Sequence, residues 1–164
     1  MLINQKKINI YIPIEVKKRE LLSKIILSKF IINNNKKKAR CYIGSKIQIK
    51  KLIFSKKSYG GIFIYIGGLP NHQIEKIKKK VEKYIILDEE MGPASVSILE
   101  EAMRKRLWVG TEKYVDRSYS IGKYHHDIGK KVFPKLSNKT LITGWPRVDL
   151  WRPEFSYIYN NSVE

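Results

Sequence analysis

Three consecutive carboxylates, Asp88, Glu89 and Glu90, follow the short apolar run YIIL at Tyr84–Leu87. Carboxylates held close together raise one another's pKa, which suits one of them to take a proton from a hydroxyl nucleophile. If strand geometry continues through the run, Asp88 and Glu90 point to one side and Glu89 to the other. Near the start of the chain, in IPIEVKKREL, Glu15 comes after another apolar run and just before Lys17, Lys18 and Arg19. A carboxylate there can accept a hydrogen bond from a sugar hydroxyl or orient a base. Near the end, in GWPRVD, Gly144 permits a backbone conformation that other residues resist, and Pro146 stiffens the turn. Arg147 then has a fixed base from which its fork can bind phosphate or carboxylate, and Asp149 can lock the arginine or the loop amides.

A purely structural role remains open for each group. The acidic triplet can mark a helix start, with Gly92-Pro93 turning the chain into the helix. Glu15 can pair with a neighbouring cation, and Arg147 and Asp149 can pair with each other and pin the loop. GGLPNH (67–72) offers exposed backbone N–H groups that can hold an anion, although it is neither a dinucleotide fingerprint nor a P-loop. His72 reads as a surface residue. His125 and His126 are neighbours about 100° apart on a helix, so at most one is expected to face a cleft. No His or Cys stands in register with the carboxylates, so no metal site and no cofactor are expected.

These groups need a scaffold, and the pattern predicts one. Ile8–Ile12, Ala39–Ile43, Gly61–Ile66, Tyr84–Leu87, Lys113–Ile121 and Thr140–Thr143 read as strands, the fifth weakened by Asp116 and Arg117, with Pro13 ending the first. Between them, Arg19–Ile31, Lys46–Phe54, a segment from an N-capping Asn71 to about Lys80, Ser95–Trp108 and Tyr124–Phe133 read as helices. In Arg19–Ile31, Leu22, Ile26 and Phe30, with Leu21 and Ile25 beside them, form one apolar face. The alternation predicts an α/β fold: a Rossmann-like parallel sheet of about six strands with helices on both faces. Ligands of such sheets bind beyond the carboxyl ends of the strands, where all the candidate residues lie.

The chain has 164 residues, 43% hydrophobic and 29% charged, and reads as one globular domain. No apolar run reaches the roughly 18 residues of a membrane span, and the polar, basic Met1–Lys7 lacks the features of a signal peptide. Cys41 is the single cysteine, so no intrachain disulfide can form and a cytoplasmic location is expected. The net charge of +18 comes from short scattered runs: Lys36–Lys38, Lys50–Lys51, Lys56–Lys57 and Lys78–Lys80. Without aromatic residues interleaved at regular spacing, specific nucleic-acid binding is not expected. Solvated faces with loose anionic attraction are, together with peripheral contact at an anionic inner-membrane surface.

IYIPIEVKKREL, ILDEE and ITGWPRVDLWRPEF occur in an order and at separations that resemble the surface carbohydrate biosynthesis protein family. The last is also similar to the G-x-P-R-x-D stretch of CDP-glycerol glycerophosphotransferases. Trp145 stands where relatives often carry Asn or Tyr, and Ile121-Gly122 where they carry Trp-Gly. The resemblance implies the N-terminal, acceptor-side half (1–155) of a GT-B glycosyltransferase, followed by a polar tail or the start of an interdomain linker (156–164). It implies attack of a carbohydrate acceptor hydroxyl on a nucleotide-activated sugar or polyol donor held by a second domain. The chain is then expected to be truncated or split from that domain, and inactive alone. In this scheme Asp88, Glu89 or Glu90 is the base, Arg147 steadies phosphate or the cleft edge, and Glu15 touches the acceptor. The alternative is a non-catalytic basic α/β module that binds anionic membrane or nucleic acid.

Overall fold

The computed structural model describes residues 7–35, 38–55, 60–90, 92 and 94–160. Lys36, Lys37, Lys56, Lys57, Pro93 of the expected turn, and positions 1–6 and 161–164 lie outside the described residues. In chain order the elements are β1 (Ile8–Ile14), α1 (Lys17–Asn34), β2 (Ala39–Ser45), α2 (Lys46–Phe54), β3 (Ile62–Tyr65), α3 (Asn71–Lys78) and β4 (Lys83–Leu87). There follow α4 (Val96–Arg106), β5 (Arg117–Ser120), α5 (Lys123–Val132), α6 (Pro134–Ser137), β6 (Thr140–Ile142), α7 (Pro146–Asp149) and α8 (Tyr157–Asn160). Single 3-10 turns occupy Thr111–Lys113 and Pro153–Phe155.

The six strands form one all-parallel sheet in the order β2-β1-β3-β4-β5-β6. This is the Rossmann-like α/β architecture that the alternation predicts. Both faces are covered, which is why the strands read as continuous apolar runs. Tyr11, Phe63, Tyr65, Tyr84 and Ile86 face α2 and α3, meeting Ile49, Ile53, Ile74 and Ile77. Ile10, Ile12, Ile64, Ile85 and Leu87 face the other way, against Leu27, Ile31 and Ile32 of α1.

Local chemistry explains most boundaries. Ser45 opens α2 with a capping box: its hydroxyl accepts from Gln48 N–H, and the Gln48 side chain accepts from Ser45 N–H. At the start of α1 no N-cap side chain contributes, and the Glu20 carboxylate accepts from the N–H groups of Glu15 and Val16 instead. Gly61 enters β3 at φ +96°, and a Cβ there would lie 2.2 Å from the Asn9 carbonyl oxygen, so glycine is required.

Three expectations are corrected. Pro13 does not end β1, which pairs with β2 as far as Ile14; the β3 pairing covers only Ile10 and Tyr11, so no ladder bond is asked of the proline. The expected strand 113–121 shrinks to Arg117–Ser120, because Asp116 spends its side chain on Tyr84 N–H. Asn71 does not cap α3. It is the first helical residue, and its amide donates to Val109 O and accepts from Thr111. Beyond residue 155 the chain adds a further helical turn, α8.

The largest difference is in α1. Its buried positions are Glu20, Ser23, Lys24 and Ser28, while Ile25 and Phe30 stay about half exposed, at 48% and 52%. Polar groups can face inward here because three of the four are partnered. Glu20 holds the backbone turn, Ser23 donates to Glu20 O, and Lys24 donates to Glu89.

The connection from β4 to β5 is also unusual. α4 packs on α5 through Leu99, Met103, Ile128 and Val132, and its last residue, Arg106, stands at the carboxyl end of the sheet. Gly68 N–H donates to Arg106 O, and the chain then descends through Thr111–Asp116 to start β5. α4 therefore lies at the rim where the strands end.

Candidate functional site

In this strand order the chain reverses its direction of growth between β1 and β3, and ligand crevices of open α/β sheets form outside that gap. Glu15 follows β1 and Gly67 follows β3, so they flank it. Tyr65 Oη, on the last residue of β3, donates to Glu15 Oε1, and Lys46 Nζ, on the first residue of α2, reaches the same oxygen at 3.3 Å. The Tyr65 bond first, against partial burial and with help from Lys46 and Arg106, holds the Glu15 carboxyl below the usual range. Burial first, then the Glu15 charge, pushes the Tyr65 phenol up, so it stays a proton donor. Glu15 is 38% exposed, and its Oε2 has no hydrogen-bond partner among the described residues. The group is thus an ionised, oriented acceptor with one open oxygen.

Arg106 is the hub of the adjacent cluster. Its Nε donates to Asp88 Oδ2 at 2.6 Å, its Nη1 to Glu90 Oε2 at 2.8 Å and its Nη2 to Ile66 O at 2.9 Å. Glu90 also pairs with Arg19, which in turn pairs with Glu20. One guanidinium therefore joins the end of β3, the 88–90 segment and α4, and through Glu90 it reaches the start of α1. Burial pushes the Asp88 carboxyl up, while Arg106 and the Glu90 N–H pull against it.

The expected alternation of the triplet is observed: Asp88 and Glu90 both contact Arg106, and Glu89 turns the other way, to Lys24. Each carboxylate has a cation against it: Arg106 beside Asp88, Lys24 beside Glu89, and Arg106 and Arg19 beside Glu90. Glu89 is enclosed, its side chain 2% exposed, and no dissolved hydroxyl reaches it. Glu90, at 24%, is the most open of the three.

The Gly144–Asp149 segment stands at the same rim, after β6. Gly144 takes φ +91°, and Pro146 is the first residue of α7. Of the alternatives open for Asp149, pairing with Arg147 is not the one observed; Asp149 pairs with Arg152 at 2.9 Å. One turn of α7 directs the two side chains apart, and Arg152 lies three residues beyond Asp149. Arg147 instead lies over the Trp145 ring, 5.4 Å from its centroid. Trp145 is fixed by its indole N–H, which donates to Glu89 O at 3.0 Å. The indole thus links the arginine turn to the acidic triplet, while the Arg147 fork has no carboxylate partner among the described residues.

Both His125 and His126 line a cavity of about 70 Å³ between β4–β5 and α4, α5 and α6, beside Asp88 and Arg106. At most one of the two was expected to face a cleft; both residues contribute to the lining of this cavity. His125 lies 3.2 Å from Gly92 O, and His126 Nδ1 is buried with no partner among the described residues.

Reading the sequence missed Tyr65, Lys46, Arg106, Arg19 and Lys24. Tyr65 carried a signal, as a polar-tipped ring on the last residue of an apolar strand. Arg106 carried none, because it is one of several basic residues at a helix end. Among the described residues no group of three or more His, Cys, Asp and Glu side chains is placed to hold a metal ion. No protein-family model, curated protein or solved structure matches the chain.

Proposed function

We propose that the chain is the acceptor-side domain of a glycosyltransferase-like protein of cell-surface polysaccharide biosynthesis. The observation that carries this reading is the clustering at one rim. The Glu15 and Asp88–Glu90 segments share Arg106 as a neighbour, at the strand ends that the all-parallel sheet brings together. Glu15 Oε2 accepts a hydroxyl of a carbohydrate acceptor. Glu90, the most open member of the triplet, receives the proton of the attacking hydroxyl once substrate displaces Arg19 or Arg106 from it. The Arg147 fork, backed by Trp145, neutralises a phosphate of acceptor or donor. A nucleotide-activated sugar or polyol is held by a second, donor-binding domain. The acceptor oxygen forms its bond to the transferred group as the bond to the nucleotide's phosphate breaks, and the leaving phosphate keeps the electron pair.

The test is acceptor binding by this chain. A glycan array of surface-polysaccharide fragments is expected to show binders, and Glu15→Gln is expected to weaken them about tenfold, the cost of losing one charge-assisted hydrogen bond. An array with no binder, or binders indifferent to both Glu15→Gln and Arg147→Ala, would refute the assignment.

A further inference from the structure

Helix α2 buries Ile49 and Ile53 in the core, so its opposite stripe should be polar. That stripe is Ile47, Lys51 and Phe54, at steps of four and three, and Ile47 and Phe54 are 68% and 44% exposed. The exposed apolar pair brackets a lysine, and Lys50 lies alongside. α3 covers the same face of the sheet, tied to α2 by a 2.7 Å hydrogen bond from Lys50 Nζ to Gln73 Oε1. Its outward side and the residue that follows it add Lys76 and Lys79 against the single carboxylate Glu75.

We propose that the outer surface of α2 and α3 docks on an anionic lipid bilayer, with Ile47 and Phe54 entering the headgroup boundary and the surrounding lysines contacting lipid phosphates. Interfacial helices combine apolar side chains with lysines, whose long stems lie along the apolar surface while the ammonium groups reach out. The charge balance selects the partner. Lys50, Lys51, Lys76 and Lys79 against the single carboxylate Glu75 repel a second copy of the same face and attract an anionic sheet. Burial first, and then the nearby Lys46 charge, push Lys50 below the ordinary lysine value, and an opposing anionic surface favours its charged form. Nucleic acid also offers phosphates, but it gives the aliphatic Ile47 nothing to enter. A bilayer uses every residue of the stripe. The docking surface lies on α2 and α3, away from the Arg106 cluster, and does not depend on the glycosyl-transfer reading.

Vesicle flotation of the full chain tests this, with phosphatidylcholine vesicles and with phosphatidylcholine–phosphatidylglycerol vesicles. Binding is expected to the mixed vesicles alone. Ile47→Ser/Phe54→Ser should weaken it about tenfold, while the still more exposed control Val109→Ser/Trp151→Ser leaves it unchanged. Lys51→Glu/Lys76→Glu should also weaken it by at least about tenfold, and more than the control Lys130→Glu/Lys131→Glu on α5. Circular dichroism checks that each variant keeps its helices. Equal losses for the two lysine pairs would assign the attraction to overall charge and overturn the proposal. So would an unaffected Ile47→Ser/Phe54→Ser variant. Tighter binding to a short single-stranded RNA than to the mixed vesicles, weakened by the same α2 substitutions, would make this a nucleic-acid face instead.

Discussion

Lys24 of α1 and Glu89, just after β4, form an ion pair whose side chains are 1% and 2% exposed. The pair sits between α1 and the carboxyl end of the sheet. One Glu89 oxygen is bonded to the lysine, and the other is buried without a partner among the described residues. Together with the Trp145 bond to Glu89 O, this makes residue 89 a structural junction between α1 and the arginine turn.

Removing one partner strands a buried charge. Lys24→Met is therefore expected to destabilise the fold by about 3–5 kcal/mol in urea unfolding. Lys24→Met/Glu89→Met removes both charges and is expected to recover most of that loss. A double variant no more stable than the single would mean that the ion pair itself, and not the stranded Glu89, sets the cost.

Gly61 is fixed by two independent constraints, its φ of +96° and the 2.2 Å approach that a Cβ would make to Asn9 O. Gly61→Ala is expected to lower the unfolding free energy by at least about 2 kcal/mol. Gly122, at φ −179° with nothing within 4 Å of a built Cβ, is the internal control, and Gly122→Ala should change stability little.

Acid should weaken the fold. The Glu15 carboxyl is lowered by its Tyr65 bond first. At Asp116, burial works upward and is outweighed by Lys78 and the Tyr84 N–H. A carboxylate lowered in the folded chain adds stability above its unfolded value, and that stability is lost as pH falls through the folded one. The urea midpoint should therefore drop on acidification from about pH 5 downward, and Asp116→Asn should make the drop shallower. Asp88 has the opposite sign. Burial raises it, so its contribution favours the fold at low pH and is lost as pH rises through its folded value.

How much of this the sequence disclosed depended on the kind of signal. GIFIYI and YIIL announced themselves because a strand buried on both faces has no polar alternation to confuse it. The opposed directions of Asp88 and Glu89 followed from strand geometry alone. α1 misled because its inward positions are polar, and the residue that makes Lys24 tolerable in the core is 65 positions away. The Arg106 hub was hidden for a related reason. Its three partners are brought together by a helix that ends at the rim, and nothing in local spacing distinguishes that path from an ordinary crossover along the sheet. Asp149 chose Arg152 over Arg147 through side-chain direction on a single turn, which is finer than residue order can convey.

The strand order has a bearing on how the chain assembles during synthesis. From β3 onward each new strand joins the one made just before it, so the sheet can extend outward at the pace of the ribosome. The single out-of-sequence step is the insertion of β3 beside β1, which must wait until β2, α2 and the connection through Gly61 have emerged. That step brings Tyr65 to Glu15, so the first part of the rim forms at the same moment as the one topological detour.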